Sequence, residues 1–267
     1  MSVPAAQGRW GDLVARVLSG VVILLAGAAL LLLPLPLAKI GIAAVVGGLI
    51  WELTRLAVPA PAPRLVAGIA LAAAAAMAAA LYLGSPAALL LLVPLAAGTA
   101  AARPGLRGPY AGMALAMMLA AFGVMWLRAM EGLPATLWVV AIVVLSDVLG
   151  YFVGRIVGGP KFWPAISPKK TWSGTAAGWI GAAALGLALV ITGTAPASVI
   201  VIGPILAFAG QMGDIAESWI KRRVGVKDSS QLIPGHGGLM DRFDAMTGSL
   251  GLATLLSLAG LLPAIGG

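Results

Sequence analysis

Long apolar runs separated by short polar loops recur along the chain, and they are its strongest constraint on fold. A helix needs about 20 apolar residues to cross a bilayer core about 30 Å thick. Of the 267 residues, 61% are hydrophobic and 10% are charged, whereas about 25% of the residues of a soluble domain are charged. The chain is therefore predicted to be an integral membrane protein built from helices.

The apolar runs predict an all-α, polytopic transmembrane helix bundle of about nine spans. The predicted spans are 13–33, 38–56, 65–84, 86–102, 108–128, 133–154, 174–193, 197–220 and 244–264. The first run is long enough to span, and Pro34 and Pro36 then mark a turn, so it is not interpreted as a cleaved signal peptide.

Basic residues divide unevenly between the two sides that nine spans create. Lys and Arg are retained on the cytoplasmic side. A cytoplasmic N-terminus places 15 of the 17 basic residues there and leaves Lys39 and Arg128 on the other side. The polar loops 155–173 and 221–243 are then predicted to face the cytoplasm.

The acidic residues point to the second half of the chain as the functional part. Six of the nine lie there, and Asp12, Glu52 and Glu131 are the others. Residues 1–132 are therefore predicted to be membrane scaffold helices, and residues 133–267 the catalytic region.

The absence of cysteine from the sequence excludes thiolate metal sites and cysteine nucleophiles. The net charge of +8 lies in short loops between spans, which does not favour nucleic-acid binding.

Ionisable residues inside the predicted eighth span are the first candidates for chemistry. Asp214, Glu217, Ser218 and Lys221 follow helical spacing and share one face. A charge at the centre of a membrane helix costs about 2.5–3.5 kcal/mol, and such residues usually mark functional sites. The alternative is an internal ion pair that holds helices together.

Asp241 and Asp244 form a second acidic pair at the start of the predicted ninth span. They are three residues apart, on one helical face, and like charges so placed repel unless a cation separates them. Hard oxygen ligands suit Mg²⁺. With Asp214 across the bundle, the pair predicts a metal site; the alternative is that both acids complement the positive end of the helix dipole.

Two polar loops could bind phosphate. In one, Gly237 and Gly238 follow His236, and their backbone N–H groups could approach an anion; an ordinary turn is the alternative. In the other, Ser167, Lys169, Lys170 and Thr171 precede a helix start, where anions are favoured. The alternative for these lysines is a topology signal or contact with anionic lipid.

The sixth span carries a polar stripe, because Asp147, Tyr151 and Arg155 are spaced four residues apart. A catalytic role and an interhelical Asp–Arg brace both fit this spacing. The sequence has no Walker A or GxGxxG stretch, so nucleotide recognition would not use those loops.

Residues 218–244 resemble the signature of the phosphatidate cytidylyltransferases, also called CDP-diglyceride synthetases. The matching pattern is S-x-I-K-R, four residues, K-D, then P-x-H-G-G-L-x-D-R-F-D after five more. GDIAES around Asp214, SPKKTW at 167–172 and D-x-x-x-Y-x-x-G-R at 147–155 also look like this family. The first 130 residues resemble it only in hydropathy.

The resemblance implies the reaction CTP + phosphatidate → CDP-diacylglycerol + pyrophosphate in phospholipid biosynthesis, with one or two Mg²⁺ ions held by Asp214, Asp241 and Asp244. It also implies a homodimer in the bacterial inner membrane, with CTP, phosphatidate and membrane lipid as partners and the site facing the cytoplasm. The expected catalytic residues are Asp214, Lys221, Arg222, Lys227, Asp228, His236, Asp241 and Asp244. The expected substrate-binding residues are Ser167, Lys169, Lys170, Thr171, Ser218, Arg223, Gly237, Gly238 and Arg242.

Two other classes fit the sequence less well. A CDP-alcohol phosphotransferase would carry a DG-x-x-A-R pattern, which is absent from the sequence. An ion-coupled transporter should show repeat symmetry and a comparable set of acids in both halves, but no repeat is evident in the sequence and only three of the nine acids lie in the first half.

Overall fold

The computed structural model describes residues 22, 25–233, 235 and 237–266, and most of them belong to helices. Most of the predicted first span, His236 and Pro234 therefore lie outside the described residues. Residues 25–32 form a helical segment, α1. The long helices that follow are α2 (Leu35–Ala57), α3 (Pro63–Leu83), α6 (Arg107–Met130), α7 (Gly132–Ile156), α8 (Trp172–Ile191), α9 (Val199–Arg223) and α10 (Met240–Leu258), with the shorter α4 (Ser85–Ala88) and α5 (Leu92–Ala101) between α3 and α6.

Six described helices are long and apolar enough to cross a membrane, so this is a mainly helical integral membrane protein. They are Leu35–Ala57, Pro63–Leu83, Pro104–Met130, Gly132–Ile156, Trp172–Ile191 and Val199–Arg223. The predicted boundaries of these spans agree with the structure to within a few residues.

Two predicted spans differ from the structure. Residues 86–102 contain a shorter apolar helical stretch, Pro86–Ala101, in which a 3₁₀ turn at Leu89–Leu91 separates α4 from α5. Pro94 lies inside this stretch, and an internal proline removes a helical hydrogen bond and crowds the carbonyl four residues earlier. The predicted ninth span corresponds to α10, which has 19 residues and is not among the six because Asp241, Arg242 and Asp244 lie in its first turns.

The fold also contains a small antiparallel hairpin that the all-α prediction omitted. Strands β1 (Lys161–Trp163) and β2 (Ser167–Thr171) pair with Lys161 opposite Thr171. Thr171 then caps α8, because its Oγ1 accepts a hydrogen bond from the backbone N–H of Gly174 at 3.2 Å. The hairpin thereby fixes the basic residues of β2 beside the start of α8.

Helix α10 lies at the centre of the packing. It packs extensively on α9 and α6 and also contacts α7 and α2, while α7 packs on α8 and α8 on α9. Side-chain hydrogen bonds reinforce its far end: Ser257 Oγ accepts from Trp126 Nε1 and donates to Glu131 Oε1. The polar first turn of α10 therefore enters a bundle whose other helices are mostly apolar.

The contact between α9 and α10 depends on glycine. A Cβ added at Gly248 would overlap the carbonyl group of Ala209, lying 2.7 Å from its carbon, and one added at Gly213 would lie 3.0 Å from the backbone N of Gly248. Small residues of this kind let membrane helices approach closely.

This contact predicts a position-specific loss of stability. Gly248→Ala should destabilise the protein by about 1–3 kcal/mol, the usual result of overpacking, and lower the melting temperature in detergent. Gly251→Ala is the matched control, because it lies on the same helix and its added Cβ would meet its nearest neighbour at 4.0 Å. Equal melting temperatures for the two variants would contradict the tight contact.

Candidate functional site

A cavity of about 600 Å³ lies between the C-terminal parts of α7 and α9, the N-terminal ends of α8 and α10, and the hairpin. Its lining residues are Ser146, Asp147, Gly150, Tyr151, Gly154, Arg155, Lys161, Lys169, Lys170, Thr171, Gly174, Thr175, Gln211, Asp214, Asp241, Arg242 and Asp244. Four of them are aspartates and five are lysines or arginines. The cavity thus offers ligands for a cation and charges for an anion in one place.

The structure brings many of the predicted site residues together here. The cavity is lined both by residues of α9 and α10 and by residues of β2, which are far apart in sequence. They are Asp214, Asp241, Arg242 and Asp244 on the helices and Lys169, Lys170 and Thr171 on the strand. The polar stripe of the sixth span, Asp147, Tyr151 and Arg155, also lines the cavity. Arg155 Nη1 donates to Tyr151 Oη at 2.7 Å.

Lys221 joins α9 to α10 behind the cavity. Its ammonium group donates to Glu217 Oε1 at 2.9 Å and to Asp241 Oδ1 at 2.5 Å. The Lys221 and Glu217 side chains are only 8% and 0% exposed. Lys221 and Glu217 therefore form the internal ion pair that was the alternative to a functional role. Asp214, on the same helix, lines the cavity instead and accepts a hydrogen bond from Ser218 Oγ at 3.2 Å.

Asp241 already has a full set of hydrogen-bond donors. Besides Lys221 at Oδ1, its Oδ2 lies within hydrogen-bonding distance of the backbone N and Oγ of Ser229 and of the backbone N of Gly238. These donors surround the Asp241 carboxylate and fix it in position.

Asp214 is held less tightly, by Lys170 of β2. The two form an ion pair whose side chains are 26% and 25% exposed, compared with 8% and 7% for Lys221 and Asp241. A partly hydrated pair exchanges partners at lower cost than a buried one, since breaking a buried pair leaves an uncompensated charge. The Lys170–Asp214 pair is therefore the more easily exchanged of the two ion pairs.

The cavity has donor chemistry that fits Mg²⁺, which binds one or two carboxylates and completes its shell with water and phosphates. Asp214 and Asp244 offer hard oxygens within it. Among the described residues, no three His, Cys, Asp or Glu side chains are close enough to hold an ion together. Asp241 would have to release hydrogen bonds to act as a third ligand.

Several predicted site residues lie away from this cavity. Arg222 is exposed and donates to the Val226 carbonyl, and Arg223 lies over the Trp219 ring. Lys227 and Asp228 line a separate surface cavity of about 620 Å³, together with Trp51 and Arg55. Ser167 opens strand β2 without lining the main cavity.

The glycine loop is turned towards protein carboxylates in this structure. Gly237 has φ +81° and accepts a hydrogen bond from Ile233 N at 2.8 Å, and the Gly238 N–H donates to Asp241 Oδ2 at 2.8 Å. The described backbone here forms a turn closed on Asp241. The proposed phosphate contact of this loop stays a prediction.

Sequence reasoning missed Gln211, which joins three helices at the floor of the cavity. Its Oε1 accepts from Trp179 Nε1 at 2.9 Å, and its Nε2 donates to Ser146 Oγ and to the Thr175 carbonyl. A single glutamine inside an apolar run could have been noticed. Glu52, discussed below, was missed because its partners lie in the other half of the chain.

Fold and cavity together define a helical integral membrane protein with a charged cavity among its C-terminal helices. The chain belongs to the cytidylyltransferase family, whose family model matches residues 14–258.

Two named relatives are similar to part of the chain. It is 43% identical over 126 residues to a phosphatidate cytidylyltransferase of Brucella abortus biovar 1 (strain 9-941), with 46% of the chain and 47% of the relative covered. It is 41% identical over 129 residues to a protein of the same name from Staphylococcus saprophyticus subsp. saprophyticus, with 47% and 50% covered. The chain thus spans about half the length of the curated relatives that it matches.

The buried position of Lys221 predicts a structural effect of its removal. Lys221→Met should lower stability by about 3–5 kcal/mol, because Glu217 and Asp241 would lose their shared cation inside the protein. Arg222→Met, at the exposed neighbouring position, should change the melting temperature little. Equal stability of the two variants would show that the buried pairs do not hold α9 to α10.

Proposed function

We propose that the protein is a CTP:phosphatidate cytidylyltransferase, a nucleotidyltransferase of phospholipid biosynthesis. The observation that carries the proposal is the cavity in which four aspartates face five basic residues, within a chain of the cytidylyltransferase family. The name of the relatives supplies phosphatidate as the acceptor and cytidylyl transfer as the reaction, for which CTP is the proposed donor.

In the proposed reaction a phosphate oxygen of phosphatidate attacks the α-phosphorus of CTP. A new P–O bond forms, the bond from the α-phosphorus to the oxygen bridging to the β-phosphorus breaks, and pyrophosphate leaves with that electron pair. The nucleophile is already anionic, so no strong general base is needed. The main barrier is bringing two polyanions together and stabilising the leaving group.

The basic residues of the cavity would overcome this repulsion. Lys170 would exchange Asp214 for a phosphate, while Lys169 and Lys161 supply further ammonium groups from the hairpin. Arg242 and Arg155 line the same cavity and can bind phosphate through two parallel N–H donors. Tyr151 would orient Arg155 through its hydrogen bond.

Asp214 and Asp244 are the proposed ligands of Mg²⁺, and Asp241 the third. The ion, when bound, supplies positive charge to the oxygens of the attacking and leaving groups. Asp241 already orders the loop and the start of α10, so it contributes to the site whether or not it binds a cation.

The proposed setting is the bacterial inner membrane, with about nine spans, the cavity on the cytoplasmic side and a homodimer as the assembly. The distribution of basic residues supports the orientation, since nine spans leave only Lys39 and Arg128 outside. Phosphatidate would reach the cavity from the membrane and CTP from the cytoplasm.

The reaction is tested with purified protein in detergent. With Mg²⁺, labelled CTP and phosphatidate it should release pyrophosphate and form a CDP-lipid, and omission of phosphatidate should abolish labelling of lipid. In sealed vesicles, added CTP should be used only when the membrane is inverted. Failure to form CDP-lipid under all these conditions would contradict the proposed function.

The metal proposal predicts unequal responses of the aspartates. Asp214→Asn and Asp244→Asn should each lower kcat by at least ~100-fold, the scale seen when one electrostatic stabiliser is removed, and raised Mg²⁺ or Mn²⁺ should partly restore the less damaged variant. Asp241→Asn should lose activity to a similar degree. If added metal restores none of the three while all remain folded, the carboxylates do not bind the cation.

A further inference from the structure

Glu52 is a buried acid in the half of the chain predicted to be scaffold. It lies near the end of α2, and its residue is 0% exposed. A buried charge is costly unless several donors surround it. The partners of Glu52 therefore indicate why an acid is present at this position.

All described donors to Glu52 come from one segment, residues 229–240, which is 177 to 188 residues away in the sequence. Oε1 accepts from Ser230 Oγ at 2.6 Å and from Leu239 N at 2.8 Å. Oε2 accepts from Met240 N at 2.6 Å and lies 3.0 Å from Ser229 Oγ. One carboxylate thus joins the middle of the connection between α9 and α10, at Ser229 and Ser230, to the start of α10.

The contact with α10 is a helix cap supplied from another helix. The first backbone N–H groups of a helix have no partner within it, and an acid near them is stabilising. The residues that start α10 provide no side-chain cap of their own. Glu52 instead accepts hydrogen bonds from the backbone N–H groups of Leu239 and Met240, directly before Asp241.

Glu52 and Asp241 hold the loop from opposite sides. Ser229 Oγ lies 3.0 Å from Glu52 Oε2 and 2.9 Å from Asp241 Oδ2, and its single proton can serve one of them at a time. Gly238 passes between the two acids, since its N–H donates to Asp241 and a Cβ there would lie 2.6 Å from both Glu52 oxygens. The position of Asp241 and of the cavity-lining residues after it therefore depends on Glu52.

We propose that Glu52 is a positioning residue for the reaction: it fixes the 229–240 loop and the first turn of α10, and so sets the places of Asp241, Arg242 and Asp244 in the cavity. This role rests on the proposed function. Each of the four groups around the Glu52 carboxylate carries a hydrogen that it can donate to a carboxylate oxygen.

The test compares Glu52→Gln with Glu131→Gln. Glutamine keeps the size of the side chain but places an NH₂ group against two donors. Glu131 is also a first-half acid bonded to α10, but its described partner is Ser257 Oγ at the other end of that helix. Two readouts are used: steady-state kinetics with CTP, and hydrogen exchange of peptides covering 229–243 and, for comparison, α3.

Glu52→Gln should lower kcat/KM for CTP by about 10- to 100-fold, the usual effect of losing a group that orients ligating residues. KM should rise as kcat falls, whereas a smaller folded fraction would lower the apparent kcat alone. Exchange should become faster in 229–243 and stay unchanged in α3. Glu52→Asp, which keeps the charge, should recover part of the loss, and Glu131→Gln should resemble the unmodified protein.

Three results would overturn the positioning role in an active protein: kcat/KM within twofold of the unmodified chain, unchanged exchange in 229–243, or an equal loss in Glu131→Gln. If Glu52→Gln does not fold, Ser230→Ala removes one of the four donors and is judged by the same two readouts, with a several-fold loss expected. An unmodified chain without cytidylyltransferase activity would instead overturn the proposed function, and the exchange comparison would still decide whether Glu52 holds the loop.

Discussion

The compensation of buried charge is the constraint on which this structure depends. Helix α10 brings Asp241, Arg242 and Asp244 into a bundle of apolar helices, and each group removed from water needs partners. Lys221 of α9 supplies the partner for Asp241 by forming a buried ion pair with it. The loop before α10 adds backbone donors, so that the polar start of α10 is stable only when its neighbours are in place.

The charges of the site fall into two kinds with different consequences. The Lys221–Asp241 pair is almost fully buried and joins two helices, which suits a fixed support. The Lys170–Asp214 pair is partly exposed and connects the hairpin to α9, which suits a pair that opens when a charged ligand arrives. The cavity therefore combines a buried, fixed ion pair with a partly exposed pair whose partners can exchange.

Much of the fold was predictable because membrane thickness fixes the length of an apolar helix. Spans predicted at 108–128 and 133–154 correspond to Arg107–Met130 and Gly132–Ile156. The 3₁₀ turn within 86–102 was not predicted, because hydropathy does not register the missing N–H group of Pro94. The hairpin was missed because strands of three and five residues have no clear periodicity and depend on the helices beside them.

The site was predictable as a set of residues but not as a set of contacts. Motif and spacing identified Asp214, Asp244 and Lys170, which share the cavity. They could not show that Asp241 is saturated by donors or that Lys227 lies elsewhere, because those outcomes depend on how a loop folds back. The partners of Glu52 are 177 to 188 residues away in sequence, a separation at which no periodic pattern operates.

That separation has a consequence for how the protein is made. At about 5–20 residues per second, the ribosome needs roughly 10–40 s after adding Glu52 before it adds the residues that will hydrogen-bond it. During that time α2 enters the membrane with an acid near its end that lacks its final partners. The cavity is therefore completed late in biosynthesis, when α10 docks against α2.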